Sequence, residues 1–183
     1  ASEKGRIQAF PKIGGSKILK QGGGVGEIAV ECRYDGSPGT WPVNVTLHYA
    51  LTEGTEGVYV YGVFEHPEGM PGFSIGEARY ALKPDGRIFD HFTVDAERSR
   101  RMPSGQDWDQ GTQLNLKEAR RMNTGIHKGK VEHKYGYSAL LFESPAYGWS
   151  SSEKKVGIWM LNPSLEYIAG VPTKPDLTGH LDV

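Results

Sequence analysis

A chain of 183 residues allows one ordinary domain or a large part of one, and a hydrophobic content of 37% excludes a disordered chain. Its 25 glycines and 11 prolines make up about a fifth of the sequence, which argues against long helices and for short segments joined by turns. A formal charge of −1 leaves no basic field to recruit nucleic acid, and no run approaches the roughly 20 apolar residues of a membrane span.

The chain opens on Ala1-Ser2-Glu3-Lys4 without an initiator Met or an apolar leader, as a mature form or an excised segment would. Gly22-Gly23-Gly24-Val25-Gly26 resembles a phosphate loop only in composition. Such a loop opens a helix, whereas the alternating EIAVECRY (27–34) follows here, so a flexible loop is the better reading. In that strand Ile28, Val30, Cys32 and Tyr34 share the apolar face. Cys32 is the only cysteine, so it has no disulfide or metal partner and reads as a buried thiol.

Period-two alternation continues through Val43, Val45, Leu47, Tyr49 and Leu51. Asn44-Val45-Thr46 is a formal glycosylation triplet, but it lies inside this run and carries little weight. Further strands are predicted at VYVYGVFE (58–65), EARYAL (77–82), RIFDHFTV (87–94), VEHKYGYSALLF (131–142) and VGIWML (156–161). Turn clusters separate them, among them Asp35–Gly39, Glu53–Gly57, Pro84-Asp85-Gly86 and Asn162-Pro163-Ser164. Asp107-Trp108-Asp109 lacks the spaced oxygens of a calcium loop and reads as solvated loop charge. LNLKEARRMN (114–123) suits either a short helix or an extended segment. Many short strands and no repeat predict an all-β fold, a sandwich or a large open sheet.

Candidate chemistry rests on strand parity. In GEARYALK, Glu77, Arg79, Ala81 and Lys83 share one side and Ala78, Tyr80 and Leu82 the other. A wetted strand face explains this as well as a site does. In HKYGYS, Lys134 shares a side with Gly136 and Ser138, which leaves room above the lysine for a ligand. His133, Tyr135 and Tyr137 take the opposite side. Trp149, Trp159 and Tyr167 offer flat faces suited to sugar C–H groups, although Trp159 serves equally as core. The six histidines show no helical zinc spacing, and no GxSxG elbow is present.

These blocks resemble the rhamnogalacturonan lyases of polysaccharide lyase family 4. The resemblance is carried by Phe73–Lys83, Glu97–Pro103, Lys117-Glu118-Ala119, Lys134-Tyr135-Gly136-Tyr137-Ser138, Gly148-Trp149, Gly157-Ile158-Trp159, Pro163–Tyr167 and the closing Pro172-Thr173-Lys174 to His180. Gly57-Val58-Tyr59 and Phe64-Glu65-His66 also fit, so the blocks run in family order from the middle forties to the end.

The resemblance implies a large antiparallel β-sandwich of the supersandwich, galactose mutarotase-like kind, here incomplete. Residues 1–183 would form a segment of the catalytic domain, without the family's two downstream β domains. It implies an extracellular enzyme that cleaves the rhamnose–galacturonate bond of pectin's rhamnogalacturonan I by β-elimination. The family's catalytic lysine falls on Lys134, its basic pair on Arg79 and Lys83, an aromatic on Tyr167 and its histidine on His180. The scheme needs no cofactor or metal, and a polysaccharide is the expected partner. Two other readings remain open: a non-catalytic carbohydrate-binding β-sandwich, and a sugar mutarotase using His66 with Glu65 or Glu77.

Overall fold

A computed structural model describes residues 9–75, 80, 82–115, 119–133, 139–140, 146–161 and 177–179. The described residues are nearly all β, their paired strands are antiparallel, and the chain divides into two compact units, residues 1–79 and 80–183. This is the strand-rich, barrel-free architecture of the predicted sandwich class.

The first unit holds a four-stranded meander of β1 (Ile13–Gly22), β2 (Val25–Cys32), β3 (Asn44–Thr52) and β4 (Val58–Glu65), in that spatial order. The three strands with clean alternation, β2 to β4, lie where the pattern places them. β1 was not anticipated: its residues are all exposed, so Gly14, Gly15, Lys17 and Lys20 meet no demand for alternation. The glycine motif is a tight hairpin turn rather than a flexible loop. Gly22 pairs with Val25, and Gly23 and Gly24 between them hold φ of 61° and 75°, left-handed values that a two-residue primed turn requires.

This meander has two unlike faces. Ile28, Val30, Cys32, Val45, Leu47, Leu51, Val58, Val60 and Phe64 fall on one by register. At one end of that face Cys32, Val43 and Val45 are buried together against Phe10, Trp41, Leu47 and Phe73, with Phe10 edge-on to Trp41 at 4.7 Å. Burial pushes the Cys32 thiol pKa up, as an inert core cysteine requires. The other face carries Glu27, Glu31, Thr46, His48, Tyr59, Tyr61 and Glu65. Asn44 of the glycosylation triplet accepts a hydrogen bond from Tyr34 N at 3.0 Å.

The second unit is built of shorter strands. β5 (His91–Thr93), β6 (Ser99–Arg101), β11 (Ala146–Ser150) and β12 (Gly157–Leu161) form a sheet in the order β12-β11-β5-β6. β7 (Thr112–Gln113), β8 (Ala119–Arg121) and β9 (Val131–His133) form a second, and β10 (Ala139–Leu140) pairs with β13 (Leu177–Gly179). The core gathers Phe92, Val94 and Met102 under Tyr147 and Trp149, the Phe92 and Trp149 rings 4.8 Å apart. Trp159, by contrast, is about half exposed on β12.

Three expectations change here. The segment 114–123 is extended in its described part: Ala119–Arg121 is β8, and Leu114 N donates to the Ala119 carbonyl at 3.1 Å. Asp107-Trp108-Asp109 belongs to a short helix, α1 (Gly105–Asp109). Ser104 Oγ accepts from Asp107 N at 3.1 Å, and Asp107 accepts from Ser104 N at 3.2 Å, a reciprocal capping box. The strand expected over 87–94 shortens to His91–Thr93, because the Asp85 carbonyl accepts from both Ile88 N and Phe89 N at 2.9 Å and turns the chain there.

Candidate functional site

Of the residues singled out from sequence, Arg79, Lys134, Tyr167 and His180 lie outside the described residues, as do Tyr135 and Tyr137. Lys83 is described and exposed. It does not sit on a strand. The described part of the 77–82 segment, Tyr80 and Leu82, has no regular structure, and neither has Lys83. Alternation without a partner strand does not make a ladder, and Pro84, which lacks an N–H, ends the run.

The turn after Lys83 is rigidly built. Asp85 Oδ1 accepts from Arg87 N at 2.9 Å, and the Arg87 guanidinium forks onto the same carboxylate at 3.0 and 2.6 Å. Those hydrogen bonds pull the Asp85 pKa down to about 2. An open cleft of about 480 Å³ begins here, lined by Arg87, Asp90, Arg101, Ser152 and Lys154 among others. Asp90 orders its floor, accepting from Ser152 N and Ser152 Oγ at 2.9 Å each and from Arg101 Nε at 2.8 Å. The Ser152 amide, followed by its hydroxyl and Arg101, holds the Asp90 carboxyl below its ordinary value. The cleft is thus polar and charge-balanced, with its cations already bridged to carboxylates.

The residues just before Lys134 carry a buried ionic cluster. Glu132, in the middle of β9, is 2% exposed. Its Oε2 accepts from Arg100 Nη2 at 2.8 Å, and its Oε1 lies 2.7 Å from His127 Nδ1 at an angle short of a hydrogen bond. His127 Nε2 is 2.8 Å from the Arg101 carbonyl, which can only accept, so this nitrogen bears the hydrogen. β6 and β9, in different sheets, are therefore tied through one carboxylate whose strand leads directly into Lys134.

A second cluster was not foreseen. On the polar face of the β1–β4 sheet, Tyr61 Oη donates to Glu27 Oε1 at 2.8 Å, and His48 Nδ1 sits 2.9 Å from the same oxygen. The His48 and Tyr61 rings stack 4.3 Å apart at 9°. His48, then Tyr61, hold the Glu27 pKa below the usual carboxylate value, and Glu27 in turn raises that of Tyr61. Of the mutarotase pair, Glu77 lies outside the described residues, and His66 and Glu65 have other partners. His66 Nε2 faces the Pro71 carbonyl at 3.1 Å, and Glu65 bonds Arg33 at 2.9 Å. Among the described residues no group of three or more His, Cys, Asp or Glu could hold a metal ion. Among those residues, too, no helix is long and apolar enough to cross a membrane.

The profile of the rhamnogalacturonate lyase family fits residues 2–131, more than two thirds of the 183-residue chain. It takes in the first forty residues, which carry none of the resembling blocks, and it ends before Lys134 and the closing blocks. No curated protein and no solved structure matches the chain.

Proposed function

From the premise that this chain belongs to the rhamnogalacturonate lyase family, we propose that it is a catalytic-domain segment of a secreted enzyme that cleaves rhamnogalacturonan I by β-elimination. The family match over residues 2–131 is the observation that carries this reading, and it makes the substrate a polysaccharide. Lys134 is the base, Arg79 and Lys83 face the uronate carboxylate, Tyr167 lines the substrate, and His180 is the acid.

The chemistry explains the choice of groups. Elimination removes the C5 proton of galacturonate, beside a carboxylate, so negative charge builds on a group that is already anionic. Arg79 can hold the carboxylate with two parallel hydrogen bonds, and Lys83 adds charge. Together they stabilise the enolate-like transition state. Lysine is ordinarily protonated at neutral pH, with a pKa of about 10.4. Neighbouring cations and partial burial favour the free amine, so Arg79 and Lys83 also prepare Lys134 as a base. The Lys134 amine takes the C5 proton, the electron pair forms the C4–C5 double bond, and the C4–O bond breaks. The departing rhamnose oxygen receives a proton from His180.

Ultraviolet absorbance of the unsaturated uronate tests this, measured beside polymer binding. Lys134→Ala lowers turnover by about 10²–10⁴-fold and leaves binding nearly intact, because a base acts on the transition state. Arg79→Ala weakens both, because its carboxylate partner is present in substrate and transition state alike. Saccharide binding without unsaturated product from the unaltered protein would instead favour a non-catalytic binding module.

A further inference from the structure

The Glu27–His48–Tyr61 cluster is far more ordered than a wetted sheet face requires. A face open to water requires no fixed partner for its polar side chains. Tyr61, in contrast, is held twice, by its hydroxyl on Glu27 and by its ring on His48. Three strands contribute: Glu27 from β2, His48 from β3 and Tyr61 from β4. His48 covers one face of the tyrosine ring. Among the described residues β4 is an edge of this sheet, with no further strand beyond Tyr61, and the residue is 49% exposed. The result is an aromatic ring of fixed orientation with an open face. Tyr59, two positions along the same strand face and 61% exposed, adds a second ring about 7 Å away.

We infer that this face of the first unit is a saccharide-binding platform, with Tyr61 as the stacking ring for a neutral pyranose of a polysaccharide. A pyranose presents C–H groups on one face and hydroxyls around its rim. A pre-oriented aromatic ring with hydrogen-bonding groups beside it matches both. Holding the ring in advance removes part of the ordering cost of binding. The second oxygen of Glu27, unclaimed by Tyr61 or His48, can accept from a sugar hydroxyl.

Charge selects the neutral class. The cations of this face are largely engaged: Lys17 bridges Glu31 at 2.9 Å, Arg33 spans Glu31 at 3.4 Å and Glu65 at 2.9 Å, and Lys20, opposite Glu27 in the β1–β2 ladder, already acts on the Glu27 carboxylate. A uronate stacked on Tyr61 would bring its carboxylate beside that of Glu27 with few free cations to offset the repulsion. A neutral sugar meets no such penalty. The platform thus differs in ligand from the elimination site, whose Arg79 and Lys83 are suited to a uronate. The choice of a polysaccharide as the source of the sugar rests on the lyase reading. The existence of the platform rests on the geometry of Glu27, His48 and Tyr61.

Soluble β-1,4-galactan is the probe, because its axial O4 gathers C–H groups on one ring face and because, lacking uronate, it cannot undergo elimination. Its binding is therefore read independently of lyase activity. The protein should be retarded by galactan in affinity electrophoresis, and any retardation by polygalacturonate, whose uronates suit Arg79 and Lys83, should be the same in Tyr61→Ala. Tyr61→Ala should weaken galactan binding about tenfold, whereas Tyr61→Phe, which keeps the ring, should stay within about threefold. In the unaltered protein, galactan should shift the Tyr61 ring resonances in an NMR titration, a result that does not depend on any variant folding. Unchanged galactan binding by Tyr61→Ala would overturn the assignment. So would equal losses in Tyr61→Ala and Tyr61→Phe, a larger loss of polygalacturonate than of galactan retardation in Tyr61→Ala, or Tyr61 resonances that galactan leaves in place. If galactan binds through Tyr61 but no substrate yields unsaturated product, the platform stands and the lyase reading fails.

Discussion

Glu132 Oε1 and His127 Nδ1 meet 2.7 Å apart in a site where both side chains are almost wholly buried. His127 Nε2 bears the hydrogen that faces the Arg101 carbonyl, and its Nδ1 approaches Glu132 Oε1 at an angle short of a hydrogen bond. The cluster joins β6, through Arg100, to β9, through Glu132.

Removing one partner of a buried ionic cluster leaves the others desolvated and unpaired. Glu132→Ala should therefore lower unfolding stability by about 3 kcal/mol. In Glu132→Ala the half-exposed Arg100 can recover water, whereas Arg100→Ala takes a charged donor from a carboxylate that is 2% exposed, so Arg100→Ala should cost at least as much. Urea denaturation of the two variants beside the unaltered protein checks the order. A loss within about 0.5 kcal/mol for Arg100→Ala would show that its guanidinium does not hold the buried carboxylate.

Gly148 offers a sharper packing test. Opposite it in the β11–β12 ladder stands Trp159, and a Cβ added at Gly148 would collide with the Ile158 carbonyl oxygen and fall 2.8 Å from Trp159 Cα. Both are backbone atoms, so relief means moving β12. Gly148→Ala should cost about 3 kcal/mol, at the upper end of overpacking effects. Gly86→Ala, where an added Cβ meets nothing within 4 Å, should stay within about 0.5 kcal/mol. Thermal unfolding of both variants would decide it; similar losses would mean that the close approach at Gly148 does not hold in solution.

The contrast between the two units shows what the sequence could reveal. β2, β3 and β4 were legible because one sheet face must be apolar, which writes alternation into residues 25–65. β1 was hidden because an exposed edge strand needs no such pattern. In the second unit local polar bonds overrode alternation, as where the Asp85 carbonyl ends the expected strand before His91. The basic candidates came from resemblance and parity, and of these only Lys83 falls among the described residues. The Glu27, His48 and Tyr61 cluster was illegible for another reason. Its contacts span 21 and 34 residues, and only strand register brings them together.

The turn after Lys83 should respond to acid. The Asp85 pKa is depressed to about 2 by Arg87, so the carboxylate's contribution is complete above its ordinary value near 3.9 and is lost as pH falls through about 2. Asp90 and Asp95 are shifted in the same direction, the first mainly by the Ser152 amide and the second mainly by Arg98. A carboxyl-detected NMR titration should place the Asp85 midpoint about 2, and Arg87→Ala should return it towards 3.9. A midpoint near 4 in the unaltered protein would count against the fork.

Lys83 and Arg79 should differ in what they contribute to elimination, if both face the uronate. A guanidinium grips a carboxylate through two aligned donors, whereas an ammonium acts as a compact charge on a flexible stem. Lys83 is exposed and lies in an irregular stretch, so its charge is screened and its geometry is not fixed by a ladder. Lys83→Arg should therefore retain most activity on rhamnogalacturonan I. Lys83→Gln should lower kcat/KM about tenfold, and added salt should narrow the difference between Lys83→Gln and the unaltered protein. Arg79→Lys, although it keeps the charge, should cost more than Lys83→Arg because it gives up the paired hydrogen bonds. Initial rates of unsaturated uronate formation at low and high ionic strength provide the measurement. If Lys83→Gln matched the unaltered protein at low salt, Lys83 would have no part in neutralising the substrate carboxylate, and the basic role would pass to Arg79 alone.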